Sequence, residues 1–161
     1  MEIDFFDKIY DSWKPKQLQK FEALRPFFKM HLKEKHSILD LGVGRAWLET
    51  FLQDRAFKLG RIVGVDINEF LVNPKMPWIN YEFSKNFQTS EKFDWVVCFD
   101  SLHLLSDKNI VKFLKPEGFA LIALPASLMH EIPKFPKAEI LHEGFVGIEE
   151  KDYFQLLRLK N

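Results

Sequence analysis

The sequence contains one cysteine, Cys98, which excludes an intrachain disulfide and a cysteine-built zinc cluster. A lone thiol suits a reducing compartment, so a cytoplasmic location is expected and no metal site is. Net charge is missing too, because 23 basic residues balance 23 acidic ones. Nothing in that balance favours nucleic acid or a membrane surface as a partner. No apolar run approaches the roughly 18 residues of a membrane-spanning helix. The opening MEIDFFDKIYDSW carries acids early and lacks the basic start and apolar stretch of a signal peptide. Repeats, low-complexity tracts and Gly/Ser linkers are also absent. What is plentiful is phenylalanine, 17 of 161 residues, and each ring can bury a large apolar area. One domain over residues 1–161 is expected, with a helical cover at 1–35 and an α/β core at 36–161.

Periodicity orders the elements. Ile3, Phe6, Tyr10 and Trp13 recur at helical spacing and predict a short helix closed before Pro15. It either covers one side of the core or also lids a ligand site. Leu18, Phe21, Leu24 and Phe28 predict a second helix, kinked or divided at Pro26. Residues 36–41 read as a strand and 48–59 as a helix ended by Gly60; residues 61–66 read as a second strand. Strand, helix, strand makes a right-handed parallel unit. Further strands are predicted at 78–83, 93–99, 119–124, 138–145 and 153–160, with short helices at 69–72, 107–114 and 127–131 and a turn at 115–118. The fold class is a three-layer α/β sandwich around a mostly parallel sheet.

In such sheets ligands bind beyond the carboxyl ends of the strands. Asp40, Asp66 and Asp100 fall at those ends. Gly42 and Gly44 follow the first strand and let a ligand approach the backbone closely. Asp66 lies 22 positions after Gly44 (66 − 44), the spacing at which an acid meets ribose hydroxyls in nucleotide folds. A nicotinamide fingerprint would need glycine where Trp47 stands, and no Gly-Lys-Ser/Thr phosphate loop follows the turn. Asp40 either caps the turn or faces a ligand. Asp100 serves as an N-cap or as a substrate or cofactor contact, and His103 as a general base or a solvent-facing helix start. Cys98 reads as core, and Lys108, Lys112 and Lys115 read as a solvated helix face.

Ser37-Ile38-Leu39-Asp40-Leu41-Gly42-Val43-Gly44-Arg45-Ala46 resembles the first motif of class I S-adenosylmethionine-dependent methyltransferases. Val63-Gly64-Val65-Asp66-Ile67 resembles that family's second strand and its ribose-binding acid. The segment 93–103 resembles the fourth strand and its exit, and 113–119 the Leu-Lys-Pro-Gly-Gly turn before the fifth. The motifs stand in the family's order and cover about residues 36–125. The resemblance implies a Rossmann-like sheet of about seven strands, the last inserted antiparallel, and S-adenosyl-L-methionine as cofactor. It places Asp40, Gly42 and Gly44 along the methionine half, Asp66 on the ribose and Ile67 against the adenine. Phe99 and Asp100 would flank the sulfonium, with His103 and Asp100 as candidate catalytic groups. The chain departs at Ala46, where the family has its third glycine. It also lacks the acid that meets the adenine amino group, leaving Ser84 or Asn86 to accept that bond. Methyl transfer to a small-molecule or protein acceptor is the implied activity. The alternative is a non-catalytic methyltransferase-like module that binds a partner protein, and a homodimer is also open. The absent Asn-Pro-Pro-Tyr signature turns the reading away from adenine or glutamine methylation.

Overall fold

Seven runs of apolar, strand-compatible sequence pair into one sheet in the computed structural model, which describes residues 9–149 and 151–161. The strands are β1 (Ile38–Leu41), β2 (Ile62–Asp66), β3 (Asn80–Phe83), β4 (Phe93–Phe99), β5 (Leu114–Pro125), β6 (Ala138–Val146) and β7 (Asp152–Leu159). Their order is β3-β2-β1-β4-β5-β7-β6. The first five are parallel, and β7 inserts antiparallel between β5 and β6. This is the expected sheet, including its antiparallel last strand. Strand order reverses between β1 and β4, so their carboxyl ends form the crevice where ligands bind in open α/β sheets.

Two helices cover one face, α1 (Lys14–His31) and α2 (Trp47–Asp54). Phe21, Leu24 and Phe28 of α1 are buried, and Phe28 stacks on Trp95 at 5.1 Å between ring centroids. Helix α1 runs through Pro26 undivided. Pro26 is exposed, and on a solvent face a helix tolerates a disturbed carbonyl that water can satisfy. Residues 9–12 are helical and separated from α1 by a turn at Trp13, so the break before Pro15 is where the sequence placed it. The part of that first helix over residues 1–8 lies outside the described residues.

The opposite face is thin. Val96 and Cys98 pack there against Leu102, Ile110, Phe113 and Phe135, and its cover consists of single 3-10 turns at Leu102–Leu104, Ile110–Phe113 and Ala126–Glu131. Cys98 is core, as expected. Helix α2 ends at Asp54 rather than at Gly60, with Ala56 at φ 66° making the reversal. Gly60 serves another purpose: a Cβ there would run into the Lys35 carbonyl oxygen. Residues 115–118 form a bulge within β5, because Leu114 pairs with Phe93 and Phe119 with Trp95. Lys115 therefore lies on a strand excursion, bonded to Asp94 at 3.3 Å, and not on a helix face. Lys108 and Lys112 are ion-paired to Glu131 and Asp107.

Candidate functional site

The turn after β1 is built by backbone rather than by side chains. Gly42 takes φ 99° and Gly44 φ 49°, a region L-residues with a Cβ avoid. Gly42 and Val43 donate to the Val65 carbonyl at 2.7 and 2.9 Å, which ties the turn to the end of β2. Ser101, just beyond β4, fits over Gly42 where a Cβ would collide with its hydroxyl, and it donates to the Leu41 carbonyl. Ala46 also adopts a left-handed conformation, φ 56°, and is fully buried. The third position of the motif thus keeps a glycine-like backbone, and its methyl packs into the core.

Asp66 leaves the end of β2 with both oxygens engaged. Oδ2 accepts from the Gly44 N–H at 2.8 Å and Oδ1 from the Asn68 N–H at 3.0 Å. A carboxylate oxygen has two acceptor sites, so each retains one for a ribose hydroxyl. Ile67 follows immediately and is 40% exposed, an apolar platform beside the acid. Ser84, past β3, donates its N–H to the Asp66 carbonyl at 3.0 Å, and its hydroxyl accepts from Asn86 N–H at 3.1 Å.

Asp40 points into the protein. It is nearly buried and adjoins Glu49 of α2, which is completely buried. Desolvation pushes the Asp40 carboxyl up to about 6; a hydrogen bond from Glu49 opposes the rise and the Asp66 charge adds to it. Desolvation and then the Asp40 charge push Glu49 well above its ordinary range. Two buried carboxyls in contact cannot both ionise. Glu49 therefore keeps the proton and donates it to Asp40. The Asp40 carboxyl is thus buried against Glu49.

Tyr10 closes the turn from above. Its hydroxyl lies on Gly44 where a Cβ would overlap it, and it accepts a bond from the Arg45 N–H. Its ring packs on Trp47 at 4.9 Å, tilted by 31°, and Asp11 pairs with Arg45 at 3.0 Å. Burial, then the Asp66 charge, raises the Tyr10 phenol to about 12. The first helix thus covers the glycine turn through Tyr10.

At the exit of β4, Phe99 stacks on Phe21 of α1 at 5.6 Å. Asp100 takes φ 57° and caps no helix; Ser101 precedes the next 3-10 turn. Its Oδ2 accepts from Lys20 Nζ at 2.8 Å and from Gln17 Nε2 at 2.9 Å. Lys20 also pairs with Asp152 at the start of β7. His103 lies elsewhere, in the turn that packs against Ala126–Glu131, where it acts on the charge of Glu131. The structure thus brings Asp66, Gly42, Gly44 and Ile67 together and sets Phe99 and Asp100 at the neighbouring strand end. A separate groove of about 750 Å³ lies between α1, α2 and residues 73–76 and is lined by none of Asp40, Asp66 or Asp100.

Sequence reasoning missed Glu49, Lys20 and Ser101 as site groups. Two of them left a signal. Lys20 falls on the Leu24–Phe28 face at i, i+4 spacing, and Glu49 follows Leu48 three residues before Leu52 on the buried side of α2. A charged residue on a buried helix face calls for a partner. The Ser101 contact depends on tertiary approach alone.

These residues fit S-adenosylmethionine. Asp66 keeps free acceptor sites and Ile67 is open to a flat base, while Ser101 and Tyr10 of the chain fill the space over Gly42 and Gly44. A family model described as a methyltransferase domain matches residues 10–155. No curated protein matches. The fold is shared with a SAM-dependent methyltransferase from Aquifex aeolicus, at TM-score 0.68 and 15% identity over 98% of this chain and 97% of that one. It is shared with an S-adenosylmethionine-dependent methyltransferase from Clostridium acetobutylicum, at TM-score 0.64 and 12% identity over 98% and 97%. The plantazolicin methyltransferase BpumL, solved with a monoazolic desmethylPZN analog and SAH, is similar at TM-score 0.68 and 11% identity over 99% and 90%. At these identities the likeness concerns the fold.

Proposed function

The chain belongs to the methyltransferase domain family, and from that premise we propose that it transfers a methyl group to a small molecule or to a protein side chain. S-adenosylmethionine is the cofactor; when bound it supplies a methyl already activated by a positive sulfur. The protein's part is alignment, which is itself a large catalytic contribution. In this reading Asp40 and the Gly42–Gly44 backbone lie along the methionine half. Asp66 holds the ribose, Ile67 and Ser84 border the adenine, and Phe99 and Asp100 border the reactive end. Tyr10 closes over the turn. Asp100 is the candidate base at the reactive end, whereas His103 lies toward Glu131; a base is needed only when the nucleophile must lose a proton early. The neutral overall charge supports a small or protein acceptor over bulk nucleic acid. Among the described residues no helix is long and apolar enough to cross a membrane.

The observation that carries the reading is the Asp66–Gly44 bond, which joins the ribose acid to the glycine turn in one rigid unit. Calorimetric titration with S-adenosylmethionine and S-adenosylhomocysteine tests it. Binding that Asp66→Ala abolishes is expected. Absence of binding to the unsubstituted chain at high micromolar ligand overturns the reading.

A further inference from the structure

Lys20 is only 4% exposed, yet it lies on the helical face that packs onto the sheet. Its ammonium bridges two carboxylates, Asp100 past β4 at 2.8 Å and the buried Asp152 at the start of β7. Asp152 stands opposite Pro125 in register, so both acids sit at the carboxyl end of the parallel strands. One cation between two carboxylates leaves a net negative charge there. Such an arrangement is a poor device for stability, since apolar replacements of a buried pair are often as stable. Its asymmetry points to another use. Lys20 and Gln17 both donate to Oδ2 of Asp100, while Oδ1 is buried with no partner among the described residues. The Asp100 backbone is fixed independently, because its N–H donates to the Ala123 carbonyl at 2.8 Å. A buried carboxylate oxygen without a donor asks for a cation or an N–H that is not part of the chain.

We propose that Lys20 is a positioning residue of the reactive end: by holding one oxygen of Asp100 it presents the other to the cationic end of the cofactor, so that the site prefers a sulfonium to a neutral thioether. This rests on the methyltransferase reading above. It assigns to Lys20 and Gln17 the orientation of Asp100, and to Asp100 the discrimination between S-adenosylmethionine and S-adenosylhomocysteine. The two ligands differ at the sulfur by one methyl group and one positive charge. Discrimination of that kind favours substrate capture and product release, because the charge disappears when the methyl leaves.

The test is the ratio of the two dissociation constants, measured by calorimetry on the full chain alongside thermal unfolding. Asp100→Asn is expected to lower the preference for S-adenosylmethionine about tenfold, the order of one partly screened charge–charge contact. Lys20→Met combined with Asp152→Leu removes the buried cation together with its buried partner and so protects the fold. It is expected to lower the preference in the same direction, Gln17→Leu less so, and Lys20→Arg is expected to retain it. If the Lys20 variants lower the melting temperature while the ratio stays unchanged, Lys20 only straps α1 to the sheet and the inference fails. If neither ligand binds the unsubstituted chain, the methyltransferase reading fails first and takes this inference with it.

Discussion

The carboxylate of Asp66 accepts a hydrogen bond from the backbone N–H of Gly44 at 2.8 Å, joining residues 22 positions apart. The glycine turn and the end of β2 are therefore one unit. Removing the carboxylate orphans the Gly44 and Asn68 N–H groups as well as any ribose contact. Asp66→Ala should lower stability by about 1–2 kcal/mol and abolish binding of S-adenosylhomocysteine. Chemical denaturation and calorimetry on the same sample check both effects.

Gly44→Ala attacks the turn from the other side. The new Cβ meets the Tyr10 hydroxyl and sits at φ 49°. A left-handed L-residue costs about 1–2 kcal/mol, and Tyr10 must leave its place. Loss of the Tyr10–Trp47 contact, followed by tryptophan fluorescence, is the expected sign, together with weaker cofactor binding.

The Asp40–Glu49 pair makes stability depend on pH. Asp40 rises to about 6 from an ordinary value of 3.8, with Glu49 raised further. In this window the folded chain binds more protons than the unfolded one, so stability falls as pH rises from about 4 through 6 and beyond. Glu49→Gln keeps a donor to Asp40 and removes the second acid. It should flatten that slope and raise stability at pH 7, read from denaturation midpoints across pH 4–8.

Gly60→Ala should destabilise without touching the site. The added methyl runs into the Lys35 and His36 carbonyl oxygens, which are backbone and cannot rotate away. A loss of about 1–3 kcal/mol is expected, with cofactor affinity unchanged in the remaining folded protein.

Asp94 anchors the start of β4 to the residue before β1 through the Ser37 N–H at 2.9 Å and hydroxyl at 3.1 Å, and to β5 through Lys115 at 3.3 Å. Partial burial raises its carboxyl, but these bonds outweigh that and hold it below the ordinary range. Its contribution is present above pH 4 and is lost as pH falls through the lowered value. Asp94→Ala should cost about 1–2 kcal/mol at pH 7 and less in acid, measured by denaturation at pH 7 and pH 3.

Much of the fold was legible because its signals are local. The run Phe93–Phe99 marks a strand covered on both faces, and the structure gives it those bounds. The sequence predicts α2 too long because Leu59 continues an apolar spacing, although Ala56 has already turned the chain back. Propensity gives no warning of a left-handed alanine. Pro26 predicts a break because the sequence does not say which face of α1 meets water.

The sequence by itself determined the succession of strands along the chain, the glycine turn after β1, and the acid that closes β2. Those depend on period, on the missing Cβ and on spacing along the chain. It also carried the family pattern through residues 37–46, 63–67, 93–103 and 113–119. Only the tertiary structure decided what stands around the turn. Tyr10 folds over Gly44, Glu49 lends its proton to Asp40, and Lys20 lies between Asp100 and Asp152. The partners in the Lys20 cluster are 80 and 132 positions apart. Such contacts arise when a helix docks on a sheet and its buried charge must find a counter-charge, and no local pattern encodes which one.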